Sequence, residues 1–341
     1  MKAVRIHEHG NVDVLKTEDI NKPSCNNNQI RIKVKACSIN HLDIWVRNGL
    51  PGLPIKLPLI LGSDASGTID KVGKNIKDYS IGDNVVIQPG TFNVSSPHVI
   101  DGNENYSSTY GILGETSNGV QAEYITLNSE NINLMADHLS FEEAASMQLV
   151  FMTSYQMIIK RAKLTKNESI LIYGATSGVG SAAIQISKDI GANVITTVGN
   201  KNKIDYALQM GADYVFLHDE NLINNIKTIT DGKGVDVVFE HIGKKTWNYS
   251  LKVLNIGGRI VTCGSTTGAL VNIDLRYLFM KQQTILGSTM SNIESFLGVM
   301  NKIKDKKYKP FIDKIYNFDD IRDAHLRMEN RKNFGKIIIV P

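Results

Sequence analysis

Gly174, Thr176, Ser177, Gly178, Val179 and Gly180 make a turn of small residues suited to holding a phosphate. Without bulky side chains, backbone N–H groups can approach an anion closely, and a helix starting at such a turn adds the positive end of its dipole. The flanking residues supply the elements. Residues 169–173 (SILIY) are a short apolar run of the kind buried in a parallel sheet. Residues 181–192 (SAAIQISKDIGA) carry apolar positions at helical spacing, and Gly191 ends them. Strand, small-residue turn and helix in that order make a dinucleotide site. Aligned on Gly180, the pattern G-x-G-x-x-G has Ala175 and Ser177 at its first two glycine positions, so context carries the reading. Further strands at 193–198, 235–240 and 259–263 continue the alternation to about Gly287.

After the strand ending at Val198 come Gly199, Asn200, Lys201, Asn202 and Lys203. An Asp or Glu here would accept hydrogen bonds from ribose hydroxyls and mark an NAD site. A carboxylate repels a 2′-phosphate, whereas an open Gly199 and the ammonium of Lys203 accept it. The expected cofactor is NADPH.

With 341 residues the chain is long for a single core, and two domains are expected. Apolar residues make up 42% and charged residues 21%, as in ordinary globular proteins. A net charge of +4, with no basic block interleaved with aromatics, gives nucleic-acid binding little support. Cys25, Cys37 and Cys263 are few, distant and odd in number, which fits a reducing cytoplasmic setting without a disulfide framework. Residues 1–10 lack a signal-like apolar run, and no stretch is long and apolar enough to suggest membrane spanning.

Residues 2–6, 29–35, 65–72, 84–88 and 121–126 read as strands between glycine, proline and asparagine punctuation. Residues 141–161 carry a long helical pattern opened by a capping box, Ser140 with Glu143. After the alternating βα stretch, residues 294–304 read as helix and 311–316 and 336–340 as strands returning to the first domain. The expected fold is α/β: a discontinuous β-rich catalytic domain (1–130 and 288–341) and a doubly wound nucleotide domain (131–287).

The segments 35–43 (KACSINHLD), 62–67 (GSDASG), 82–86 (GDNVV) and 335–338 (GKII), with the small-residue turn, resemble the medium-chain dehydrogenase/reductase superfamily over essentially the whole chain. That resemblance implies a GroES-like catalytic domain and a Rossmann domain. Zinc members of the superfamily ligate catalytic zinc through a Cys and a His at positions that hold Asn40 and Ser63 here. The four positions matching their structural zinc cysteines are Asn93, Ser96, Val99 and Ser107, with His98 nearby. Neither set offers the thiolates and imidazoles that zinc favours, so no metal is expected.

Residues 239–243 (FEHIG), 263–268 (CGSTTG) and 274–282 (DLRYLFMKQ) resemble the crotonyl-CoA carboxylase/reductase branch, which reduces α,β-unsaturated acyl-CoA thioesters with NADPH. The resemblance maps that branch's active-site polar residues onto Asn40, Glu115 and His241. Asn40 then offers an uncharged amide donor to a developing thioester oxyanion, and Glu115 with His241 orients a water or passes a proton. Trp45 and Gly114 are expected to line the substrate pocket, and Thr153, Gly264, Lys336 and His241 to touch the cofactor. Where the branch has an aromatic before the glutamate, this chain has Gly114, whose space is expected to admit water and favour protonation over carboxylation. The expectation is therefore a plain enoyl-CoA reductase. Two alternatives stay open: another zinc-free reductase acting on quinones or enones, and a non-catalytic NADPH-binding protein. A homodimer or homotetramer is expected through an open edge strand at 271–275.

Overall fold

The computed structural model describes residues 1–341, and the chain divides into two units, residues 1–149 with 292–341 and residues 150–291.

In the first unit, Ile30, Ile32 and Val34 alternate with Arg31, Lys33 and Lys35, so one face of the strand Gln29–Ser38 is apolar and buried. That strand is the spine of a seven-stranded sheet, flanked by Asp64–Val72 on one side and Lys336–Val340 on the other. Its registers matter for function. Ser38 lies opposite both Asp64 and Ile338, and the Ile39 N–H bonds to the Ile337 carbonyl at 3.0 Å. Two segments 272 positions apart in the chain, at Asp64 and Lys336, are thereby brought to Asn40. The helix His41–Asn48 starts immediately after Asn40 and is anchored by Arg47, which is 1% exposed. The Arg47 guanidinium donates to the Gly10 carbonyl at 3.1 Å, to His325 Nδ1 at 3.1 Å and to Glu329 Oε1 at 2.5 Å. Burial, with the charge of Arg47, pushes His325 down to about 3, so this imidazole is a neutral acceptor.

The second unit is a six-stranded parallel sheet with spatial order Tyr214–Leu217, Asn193–Val198, Ser169–Ile172, Val235–Glu240, Leu254–Thr262, Thr284–Gly287. That order reverses direction at Ser169–Ile172, as in doubly wound dinucleotide folds. Leu171, Ile195, Val238 and Ile260 form its core with Leu222, Ile226, Trp247 and Leu251 from the helices.

The expected strands near 2–6, 29–35, 65–72, 84–88, 193–198 and 336–340 are all present, with small shifts at their ends. Three expectations need correction. The helical pattern at 141–161 is not one helix but Phe141–Ala145, Gln148–Tyr155 and a wider π turn at Gln156–Arg161. The first piece is capped as expected, Ser140 Oγ accepting from the Glu143 N–H at 3.2 Å. Its Ala145 packs with Ala36 and Ile338, so it belongs to the first unit, and the unit boundary falls after Leu149, not near 130. The second boundary falls between Ser291 and Asn292, close to the expected 288. Residues 271–275 form no strand; the helix Leu275–Met280 begins there, and the sheet edge is Thr284–Gly287.

Candidate active site

Asn40 is 5% exposed and caps the helix His41–Asn48. Its backbone N–H donates to Asp43 Oδ2 at 2.8 Å, and Asp43 Oδ1 accepts from the Gly62 N–H at 3.0 Å. Burial pushes the Asp43 carboxyl up to about 7, opposed by the Asn40 and Gly62 N–H groups and by the Lys336 charge, and reinforced by Asp64. The Asn40 side chain is held at both ends. Nδ2 donates to Asp64 Oδ2 at 2.9 Å, and Oδ1 accepts from Lys336 Nζ at 2.5 Å. Lys336 and Asp64 also pair directly at 3.2 Å, with side chains 5% and 0% exposed. An ammonium only donates and a carboxylate only accepts, so these partners fix which end of the amide is oxygen. Asp64 is further satisfied by Ser38 Oγ at 3.2 Å and by the Leu149 N–H at 2.8 Å. Lys336, expected at the cofactor, has its ammonium engaged within this cluster.

The segment Gly62-Ser63-Asp64 joins this cluster to Glu115. Ser63 Oγ donates to the Leu113 carbonyl at 2.8 Å, and Gly114 lies directly against Gly62. Glu115 follows, partly exposed. Burial alone holds its carboxyl above the ordinary range, and it takes no hydrogen bond or ion pair from the chain. Burial, with the charges of Glu104 and Glu115, raises the Tyr110 phenol well above its usual range. Trp45 is half-buried, its ring tilted 53° to that of His41 at 6.1 Å.

The space expected at Gly114 is filled. A Cβ there would meet the Gly62 backbone N and O at 2.6 Å, and the residue has φ +80°. Glycine stands at 114 because another backbone passes against it, not because a pocket opens above it.

Zinc has no fitting donor set in this chain. Asn40 is committed to Asp64 and Lys336, and the Ser63 hydroxyl to Leu113. In the lobe formed by residues 93–107, Ser96 Oγ and Ser107 Oγ bond to each other at 2.9 Å, and Ser107 Oγ to Thr109 Oγ1 at 2.8 Å. The lobe is tied instead to the helix Ile293–Lys304, through the Glu104 carboxylate on the Ile293 N–H and Asn292 Nδ2 on the Gly102 carbonyl at 2.8 Å. No group of three His, Cys, Asp or Glu side chains is placed to hold a metal.

In the second unit the small-residue turn joins strand to helix as the spacing implies. The helix Gly178–Ile190 starts at Ser177, whose Oγ accepts from the Gly180 N–H at 3.0 Å. The N–H groups of Gly178 and Val179 make no bond within the chain and are available to an anion. A Cβ on Gly180 would lie 2.2 Å from the Gly174 carbonyl oxygen, so only glycine lets helix and strand meet this closely. Thr176 is 7% exposed. Gly199 is exposed, with nothing within 4 Å of where a Cβ would stand, and Lys203 is 8% exposed just beyond it. Thr153 is 5% exposed and lies 4.0 Å from Met290 Sδ, and the Gly264 carbonyl accepts from Thr262 Oγ1 at 3.3 Å.

His241 follows the strand Val235–Glu240 and lies over this turn, its Nε2 2.8 Å from the Tyr173 carbonyl. A carbonyl accepts only, so Nε2 carries the proton and Nδ1 is left as an acceptor. Burial lowers the pKa of the ring, opposed by the Tyr173 carbonyl and the Glu240 charge, which keeps it neutral at neutral pH. His241 thus presents Nδ1 as a neutral hydrogen-bond acceptor. The sequence reading passed over Glu240. Its carboxylate is 0% exposed and accepts from the Ile242 N–H at 2.7 Å, the Gly243 N–H at 3.0 Å, Thr246 Oγ1 at 3.0 Å and Ser250 Oγ at 2.8 Å. It clamps the turn that carries His241. Its signal was adjacency alone: Glu240 directly precedes His241 in a segment already singled out.

A doubly wound unit with an anion-ready glycine turn, together with a β-rich unit carrying an amide and an unpartnered carboxyl, defines a two-domain nicotinamide-dependent oxidoreductase. Residues 26–137 match the alcohol dehydrogenase GroES-like domain, and residues 178–305 match the zinc-binding dehydrogenase family. The chain is 30% identical to a crotonyl-CoA carboxylase/reductase of Cereibacter sphaeroides, over 99% of this chain and 86% of the relative. It is 29% identical to a quinone oxidoreductase of Homo sapiens, over 95% of this chain and 93% of the relative. A crystal structure of an NAD-dependent alcohol dehydrogenase superposes with a TM-score of 0.96 at 34% identity, covering 100% of both chains. The chain belongs to the medium-chain dehydrogenase/reductase superfamily, with a GroES-like domain and a Rossmann domain.

Proposed function

We propose that this protein reduces the C=C bond of a short-chain α,β-unsaturated acyl-CoA of the acryloyl-CoA or crotonyl-CoA type, using NADPH. The observation that carries the reading is Glu115, a carboxyl without a partner whose pKa burial raises, tied through Gly62-Ser63-Asp64 to a clamped amide at Asn40. The bound cofactor supplies the hydride that reaches the β-carbon. Asn40 offers an N–H to the oxyanion that forms on the thioester oxygen, an interaction whose removal costs about 3–4 kcal/mol in acyl-transfer sites. Glu115 in its acid form delivers the proton to the α-carbon. Neutral His241, held by its Nε2 N–H on the Tyr173 carbonyl, leaves Nδ1 to accept a hydrogen bond from the cofactor. The similarity to the Cereibacter enzyme supports the acyl-CoA substrate.

A second reading, a quinone or enone reductase, is supported by the human relative. Both place negative charge on a carbonyl oxygen, so a substrate panel decides between them. Crotonyl-CoA, acryloyl-CoA, cyclohexenone and a benzoquinone are compared as acceptors with each nicotinamide cofactor. The enoyl-CoA substrates are expected to give the highest kcat/KM. Turnover of the quinone alone would overturn the proposal, and no turnover of any acceptor would favour a non-catalytic binding protein.

The same panel tests the cofactor. The open Gly199 and the lysine at 203 predict a preference for NADPH of at least about 10-fold in kcat/KM, equal to about 1.4 kcal/mol. Lys203→Glu is expected to erode or reverse it. Equal use of both cofactors by the unaltered protein would count against this assignment.

A further inference from the structure

The first unit places a buried ion pair on the carbonyl and amino ends of one amide. Lys336 Nζ lies 2.5 Å from Asn40 Oδ1, and Asp64 Oδ2 lies 2.9 Å from Asn40 Nδ2, with the pair itself closed at 3.2 Å. Burying two charges is costly unless their geometry and hydrogen bonds are complete. Here Asp64 takes additional bonds from Ser38 Oγ and the Leu149 N–H, and the Lys336 ammonium is met by Asn40 Oδ1 and Asp64 Oδ2. A neutral apolar pair of similar volume would avoid that cost.

An ammonium on an amide oxygen draws electron density from nitrogen. It favours the charge-separated resonance form, stiffens the C–N bond and makes the N–H protons more acidic. The carboxylate occupies one of the two Nδ2 N–H bonds and fixes the plane of the group. The second N–H is uncommitted. An amide prepared in this way is a better donor to an oxyanion than a free one, because its dipole is already oriented and strengthened before charge develops.

We propose that Lys336 is a positioning residue for reduction: acting through Asn40, it orients and polarises the amide N–H that receives the substrate oxyanion, with Asp64 setting the angle. The proposal rests on the reading of Asn40 as the oxyanion donor, but not on the acyl-CoA identity of the substrate. The ammonium itself stays behind the amide. A fixed cation is thereby brought to bear on the developing charge without being exposed to solvent or to the substrate.

The full-length protein is tested as Lys336→Met, Lys336→Gln and Lys336→Arg, with crotonyl-CoA and cyclohexenone as acceptors. Both acceptors develop an oxyanion, so activity with the enone alone would sink the acyl-CoA reading while still testing the clamp. Lys336→Met is expected to lower kcat roughly 10- to 30-fold, with KM and the Kd for NADPH changed by less than about threefold. Lys336→Arg, which keeps the charge, is expected to recover most of the loss. Should Lys336→Met fail to fold, Lys336→Gln retains a donor to Asn40 Oδ1 without the charge and is read in the same way. A second readout does not depend on turnover. In protein labelled with ¹⁵N asparagine, the Asn40 side-chain amide protons, assigned by their loss in Asn40→Ser, are expected to lie downfield and to move upfield in the uncharged variants. An unchanged kcat, a loss confined to KM, or an Asn40 resonance that does not move would each overturn the proposal.

Discussion

Glu115→Gln is expected to lower kcat for enoyl-CoA reduction by roughly 100- to 1,000-fold, the range associated with loss of a general acid, while leaving the Kd for NADPH unchanged. Glu115 has no hydrogen bond or salt bridge to lose, so the substitution removes a transferable proton and little else. Stability should therefore hardly change. The enolate formed by hydride addition is basic at carbon and must be trapped before it reverts. Trapping by a fixed carboxyl delivers the proton to one face of the α-carbon; trapping by bulk water does not. In D2O the unaltered enzyme is expected to place deuterium on one face, and the Gln variant to give a mixture in its slow residual turnover. Single-faced labelling by Glu115→Gln at near-normal kcat would refute the role.

The pH dependence has a definite sign. Burial raises the Glu115 pKa, so the acid form persists further toward neutrality than for an exposed glutamate. Activity that needs this form is present at low pH and falls as pH rises through the raised pKa. That limb of the kcat profile should vanish in Glu115→Gln, which has nothing to titrate. The His241 pKa moves downward, so its protonation contributes only on the acid side of the profile.

What could be read from the sequence was mostly local. The phosphate turn, the strands around it and the Ser140 cap depend on residues a few positions apart, and their spacing states the geometry. The core strand Gln29–Ser38 was visible in the same way, because alternation of Ile and Val with Arg and Lys is a property of the strand itself. The long-range contacts were not visible. Lys336 and Asp64 are 272 positions apart, and only the sheet register at Ser38 shows that they clasp Asn40. The resemblance implies a cofactor contact for Lys336, and only the register reveals its contact with Asn40. The break in the pattern at 141–161 was hidden for a related reason. Ala145 and Met157 are both apolar and buried within that one pattern, but Ala145 packs in the first unit and Met157 belongs to the second. Periodicity records that a residue is buried and is silent on which core buries it.

Gly114→Phe is expected to leave little folded protein, and Gly114→Ala to cost about 3 kcal/mol or more, from a left-handed backbone and a close contact together. The φ of +80° disfavours any residue with a Cβ, and the Cβ would stand 2.6 Å from the Gly62 backbone N and O. The Gly62 backbone cannot yield easily. Its N–H is held by Asp43 Oδ1, its carbonyl accepts from the Val120 N–H at 3.0 Å, and a Cβ on neighbouring Gly119 would come within 2.1 Å of the same carbonyl oxygen. Movement at 62 would also pull on Asp43, and with it on Asn40. Glycine at 114 is therefore not an isolated choice but part of a local backbone arrangement, with Gly114 and Gly119 both packed against the segment at Gly62. An aromatic before Glu115 would need a different path for the segment 60–63. Chemical denaturation of Gly114→Ala, read by the fluorescence of Trp45 in the affected unit, gives the measurement. A midpoint equal to that of the unaltered protein would show that the backbone at 62 is free to move. In that case the aromatic could be introduced, and product analysis of Gly114→Phe in saturating bicarbonate would become a fair test of whether shape alone selects between a proton and CO2.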